Sequence, residues 1–162
     1  LWSDCRGVDT HGFQRVSWYI NWFRDGSTDP KAQLNILQET PAVVVADGNH
    51  GLGQLVITRF MEHLIEVASS SGMVAGVIRN SNDWGCGANY PYKAAEAGFV
   101  CFGTTTSVPY LAPFGSRRKL FGNKLQQERL TIEPQGPLTL MLIFLLAPKC
   151  LAIMIFGLRR RA

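Results

Sequence analysis

Three short apolar runs constrain this chain more than anything else in it. "AVVVA" at residues 42–46, "MVAGVIR" at 73–79 and "FVCFGTTT" at 99–106 are strand-length and rich in β-branched or aromatic residues. AVVVA carries apolar side chains on both faces, the pattern of a strand inside a buried sheet. Between the first two runs the apolar periodicity predicts a long helix from about Gly53 to Ser71, with Gly72 as its C′ residue. Between the second and third lie the polar loop "NSNDWGCGANY" and a short helix that "YKAAEAG" closes at Gly98. Strand, helix, strand, helix, strand implies parallel pairing through right-handed crossovers. The class is α/β.

Ahead of this unit, Asp9 or Thr10 can cap a helix on which Val16, Tyr19, Ile20 and Phe23 share a face. Asp25-Gly26 ends it, and Pro30 and Pro41 bracket a connector. With 162 residues there is room for one domain with a real core. The net charge of +4 is concentrated in Arg117-Arg118-Lys119 and Arg159-Arg160-Arg161, so there is no nucleic-acid stripe. Cys5, Cys86, Cys101 and Cys150 form no C-x-x-C pair and no ligand spacing with His, which predicts reduced thiols in a cytoplasmic protein and no metal site. No basic-apolar-small signal segment opens the sequence.

"SDCRGVDTHGFQR" at residues 3–15 holds the most suggestive chemistry. Placed on one helix, His11 and Arg15 are one turn apart and share a face. A helix N-terminus disfavours a protonated His. An Arg fork can hold a carboxylate bidentately. The set suits a small carboxylic acid whose neighbouring carbon is oxidised or reduced, with Arg15 on the carboxylate and His11 passing a proton to or from the adjacent oxygen. The bland alternative is a surface His with an Arg paired to an acid such as Asp9. "DGNHGLGQ" at 47–54 follows a strand and opens a helix, as a phosphate loop does. It reads first as a tight turn whose glycines supply positive φ and close approach. His50 and His63 read as solvated. "NSND" at 80–83 falls at the C-terminal end of a parallel strand, where open α/β sheets bind ligands.

Taken together, "SDCRGVDTHGFQR", "ADGNHGLGQ", "RNSNDWG", "AAEAGFV" and "APFG" resemble the malate/L-lactate dehydrogenase family, in order and in separation. The resemblance covers residues 1 to about 122 and is to the N-terminal portion of members about twice this length. It implies the family's own layered α/β/α fold around a mixed or parallel sheet, not a Rossmann fold, and here incomplete. It implies cytoplasmic homodimers that move hydride between NAD or NADP and small 2-hydroxy or 2-oxo acids such as malate or lactate, or related imino and ureido acids. It implies His11 as proton donor and acceptor, Arg15 facing the substrate carboxylate, and cofactor contacts at Asn80, Thr105, Pro113 and Gly115. Two departures stand out. Asp83 occupies a position where the family often has a second active-site His, and a carboxylate there would repel an anionic substrate. After "APFG" the family's G-T-N-P is broken at Asn123.

The text therefore divides into an oxidoreductase portion, residues 1–122, and an aberrant tail, residues 123–162. Shifted by one base from Leu130 to Gly157, the tail's codons can spell a text containing D-V-D-F-S-T-S, like the family's continuation. A frameshift near residues 123–126 accounts for the almost wholly apolar "LTLMLIFLLAPKCLAIMIFGL". The expectation is a fragment inactive as it stands. Two alternatives remain: a tail-anchored membrane protein spanning at Leu138–Leu158, with Pro148 and Lys149 near the centre counting against it, and a non-catalytic module that binds small acids.

Overall fold

The structure, a computed structural model, describes residues 1–105, 109–119, 121–122, 126–129 and 150–157. Three 3-10 turns, Asp4–Arg6, Asp9–His11 and Phe13–Arg15, lead into helix α1, Val16–Arg24. The helix read through His11 and Arg15 is thus shorter than its text suggests. Gly12, with non-helical backbone, separates the two turns that carry these residues. Its face is also barely used: Val16 and Ile20 are exposed and α1 buries no residue.

Strands β1 (Asn35–Glu39) and β2 (Val43–Asp47) pair antiparallel, and β2 pairs parallel with β3 (Met73–Arg79) across helix α2, Gly53–Ser71. Gly72 ends α2 with φ 84°, the left-handed stop that its position predicts. Helix α3 (Asn89–Glu96) leads to β4, Phe99–Thr105. β1 lies in the stretch read as a connector, and β3 and β4 are not neighbours. Strand β8 (Cys150–Gly157) lies between them, antiparallel to both, and β7 (Gln126–Arg129) flanks β4. The order β1-β2-β3-β8-β4-β7 is a mixed sheet; β5 (Pro109–Leu111) and β6 (Phe121–Gly122) form a separate ribbon. Of the tail, β7 and β8 are described; the remainder of 123–162, including most of the expected membrane span, lies outside the described residues. Among the described residues no helix is long and apolar enough to cross a membrane.

The core forms where α2 and α3 pack together on one face of the sheet. Val56, Ile57, Phe60, Met61 and Leu64 of α2 meet Val44 and Ala46 of β2 and Val74 and Ile78 of β3, all at most 1% exposed. Gly76 sits under this helix because a Cβ there would run into Leu64 and Phe60. The opposite face, Val43, Val45, Ala75 and Val77, is only half-covered although its sequence is equally apolar.

Candidate active site

The 3-10 turns bring His11 and Arg15 together without a shared helix. Arg15 Nη2 lies 3.2 Å from His11 Nε2. A guanidinium has no acceptor, so it donates here and Nε2 holds the lone pair. Nδ1–H then faces Thr10 Oγ1 at 2.9 Å. This fixes a neutral tautomer. Burial lowers the His11 pKa, the Arg15 charge lowers it further, and Asp83 partly opposes them. The cause is desolvation and a neighbouring cation, not the helix N-terminus of the sequence reading.

Arg15 does not pair with Asp9. Its Nη1 donates to Asp83 Oδ2 at 2.9 Å, across 68 residues of chain, and its Nε donates to the Thr10 carbonyl at 2.6 Å. The same Oδ2 accepts the Tyr19 hydroxyl at 3.0 Å, and Gln54 Nε2 donates to that hydroxyl at 2.7 Å. Burial and the Asp83 charge push the Tyr19 pKa up to about 12, so it remains a donor at every ordinary pH. Tyr19 and Gln54 carried no signal in the sequence as site residues; their spacing marks only helix faces. A cleft of about 240 Å³ opens beside this cluster, lined by Thr10, Gln14, Arg15 and Trp18. The Arg15 guanidinium also lies 5.3 Å over the Trp18 ring.

The glycine-rich turn at 47–53 resolves as a turn, not a phosphate cradle. Four of its N–H groups are bonded: Gly48 to the Arg79 carbonyl, Asn49 to Asp47 Oδ1, His50 to the Asn80 carbonyl and Gly51 to the Gly48 carbonyl. The positive φ values fall on Asn49 and His50, not on the glycines. Gly53 supplies close approach, since a Cβ there would strike the Asn82 and Asp83 carbonyls. The loop after β3 thereby lies against the start of α2 and carries Asp83 to Arg15.

Asn80 donates to Asp47 Oδ2 at 2.9 Å and itself holds φ 51°. Burial raises the Asp47 pKa, but the Asn49 N–H, Arg79 and Asn80 outweigh it and hold the carboxyl below its ordinary value. Asn82 Nδ2 reaches Thr28 Oγ1 and the Ser27 and His50 carbonyls, tying the chain after α1 to the β2–α2 turn. Thr105 closes β4, and Pro113 and Gly115 lie in a separate turn closed by Ser116 N–H on the Pro113 carbonyl. His63 bonds Glu39 at 2.7 Å on the surface, and His50 is exposed. Among the described residues no group of His, Cys, Asp and Glu could hold a metal ion.

Comparison with known proteins points to one family. The family profile described as malate/L-lactate dehydrogenase matches residues 1–124. A malate dehydrogenase of Pyrococcus horikoshii is 34% identical over 120 residues, 74% of this chain and 33% of its own length. An L-sulfolactate dehydrogenase of Methanocaldococcus jannaschii is 34% identical over 120 residues, and a 2,3-diketo-L-gulonate reductase of Klebsiella oxytoca 29% over 135. The solved Pyrococcus horikoshii malate dehydrogenase superposes with a TM-score of 0.72, over 75% of this chain and 35% of that one. The chain spans about a third of the length of the two dehydrogenases and 40% of the reductase.

Proposed function

The chain belongs to the malate/L-lactate dehydrogenase family, and on that premise we propose that it carries the acid-holding and proton-moving residues of an oxidoreductase working between NAD or NADP and a small 2-hydroxy or 2-oxo acid. One observation carries the proposal: the His11 lone pair and the Arg15 guanidinium face each other at 3.2 Å beside an open cleft. The relatives named for malate, sulfolactate and diketogulonate support small hydroxy and oxo acids as the class.

Arg15, with three of its five N–H donors bonded, takes the substrate carboxylate with the rest of the fork. His11 Nε2 then accepts the 2-hydroxyl proton during oxidation and returns it to the carbonyl oxygen during reduction. Arg15 beside the imidazolium makes that return favourable. The N–H groups of Gly48, Asn49, His50 and Gly51 in the β2–α2 turn are already bonded, and the Asn80 side chain is held by Asp47. The nicotinamide in this proposal therefore rests on family likeness alone, and no step is routed through it. On the same likeness the proposal places the working protein in the cytoplasm as a homodimer without a nucleic-acid partner. It also takes residues 123–162 to be read in a shifted frame; the family profile stops at residue 124, while the reductase match runs over 135 residues. The gene's nucleotide sequence decides that point.

The direct test is NAD(P)H oxidation with a panel of 2-oxo acids in the frame-corrected, full-length protein. His11→Ala lowers kcat on the order of 100-fold with little change in KM. Parental turnover in that variant refutes the assignment.

A further inference from the structure

His11 and Arg15 meet across a junction that apolar burial does not hold. The turns Asp9–His11 and Phe13–Arg15 bury no residue, and Phe13 is 73% exposed. Gly12 N–H closes the first turn on the Asp9 carbonyl, and Arg15 N–H closes the second on the Gly12 carbonyl. The Phe13 N–H, where the two turns join, leaves both and donates to Asp4 Oδ1 at 2.9 Å. Gly12 makes room for that acceptor, because a Cβ there would run into the Asp4 carboxylate. Asp4 Oδ2 lies 2.9 Å from the Leu1 amine. The amine first, and the Phe13 N–H after it, hold the Asp4 carboxyl below its ordinary range, so the acceptor is charged at neutral pH.

The turn that carries Asp4 is anchored on the scaffold. In that turn the Arg6 guanidinium lies 4.1 Å over the Trp2 ring and 4.9 Å over the Tyr92 ring. Tyr92 belongs to α3, whose Tyr90 and Ala94 sit in the core. The core thus reaches the site through Arg6 and Asp4. The Arg15 side chain also ties the two turns, on the Thr10 carbonyl, but that bond moves with the guanidinium. A junction fixed through the backbone at Phe13 sets where the guanidinium starts from, and it leaves the unbonded part of the fork to an acid.

We propose that Asp4 is a positioning residue of the acid site: its bond to the Phe13 N–H sets the angle between the two turns, and with it the approach of Arg15 to His11. The proposal rests on the reading of that pair as the acid-binding and proton-moving residues. It extends to Gly12, whose missing Cβ the bond requires.

The test is NMR on the whole 162-residue chain. In the parental protein the Phe13 amide, although on an exposed residue, exchanges roughly tenfold more slowly than an unbonded amide, the worth of one charge-assisted hydrogen bond. Free exchange there overturns the proposal. The His11 titration midpoint reads the geometry, because the Arg15 charge lowers it. Asp4→Ala releases Arg15 from His11 and raises the midpoint towards 6.5, whereas loss of the Asp4 charge acting through space lowers it. Asp4→Asn keeps an oxygen for the Phe13 N–H and holds the midpoint near its parental value. A purely structural Asp4 lowers the urea midpoint in the alanine variant and leaves the His11 titration unmoved. Arg15→Leu separates the two readings. If it does not raise the His11 midpoint, the paired reading falls and this proposal with it. If it does, the Asp4 proposal falls alone when Asp4→Ala leaves the midpoint unmoved or lowers it, or when Asp4→Asn moves it as far as Asp4→Ala. Should Asp4→Ala not fold, Gly12→Ala replaces it, since its Cβ displaces the same carboxylate, and an unmoved midpoint there also overturns the proposal.

Discussion

Helices α1 and α2 are both amphipathic in sequence, yet they are held by different forces. Helix α2 buries seven residues against β2 and β3, with Phe60, Met61 and Leu64 fully out of water. Helix α1 buries none, and Trp18 is 55% exposed. What holds α1 is a row of polar bonds along its inner edge: Arg15 and Tyr19 on Asp83, Tyr19 on Gln54, and Thr28 on Asn82 beyond its end. Burial is non-directional and scales with area, so it fixes α2 whatever the ligand state. Directional bonds to a loop can be exchanged one for one with a ligand's groups. The scaffold helix and the site helix are thus separated by the kind of interaction, not by apolar content.

The largest test of this contrast is a pair of truncations. Phe60→Ala in α2 costs about 3–5 kcal/mol of unfolding free energy, as a cavity in a packed core does. Ile20→Ala in α1, a residue 43% exposed, stays within about 0.5 kcal/mol. Urea midpoints read both, and equal losses would show that α1 is held by burial after all.

An intermediate effect is expected at Asn82, whose amide bonds the chain after α1 and the β2–α2 turn together. Asn82→Ala costs about 1–2 kcal/mol. It also speeds amide exchange in α1 while leaving α2 unchanged, and uniform exchange across both helices would break the contrast.

The smallest effect is a titration. The His11 pKa lies below its ordinary 6.5, so the folded chain binds fewer protons than the unfolded one in that window. His11's contribution to stability is complete above pH 6.5 and is lost as the pH falls from there through the folded value. An NMR titration of the His11 ring should give a midpoint below 6.5. Asp83→Asn should move it lower still, since the Asp83 charge favours the imidazolium.

The scaffold was legible because its signals are local. The bounds of α2, its Gly72 stop and β3 follow from periodicity and punctuation within a few residues. β1 was not, because "NILQE" has one half-buried residue among exposed ones and no buried period. The insertion of β8 between β3 and β4 is a tertiary choice that no local pattern carries. At the site, the proximity of His11 and Arg15 was legible from spacing, although 3-10 turns and not one helix achieve it. The Arg15–Asp83 pair was not. An ion pair closed across so much chain is decided by where the loop after β3 lands, and Gly53 decides that by allowing the loop onto α2.

The facing turns at 47–50 and 80 have a kinetic consequence. Asn49, His50 and Asn80 all hold left-handed backbone without being glycine, which costs each roughly 1 kcal/mol. Each turn is steadied by the other: His50 N–H bonds the Asn80 carbonyl, and Asn80 and Asn49 share the Asp47 carboxylate. Neither turn is favourable before its counterpart is in place. The pair therefore acts as a latch that closes only after β2, α2 and β3 have docked, and that opens ahead of them. The His50 amide should exchange with solvent faster than the β3 amides, although both are hydrogen-bonded in the folded chain. The latch loosens the end of the sheet from which Asp83 is presented, while the strands behind it stay shut.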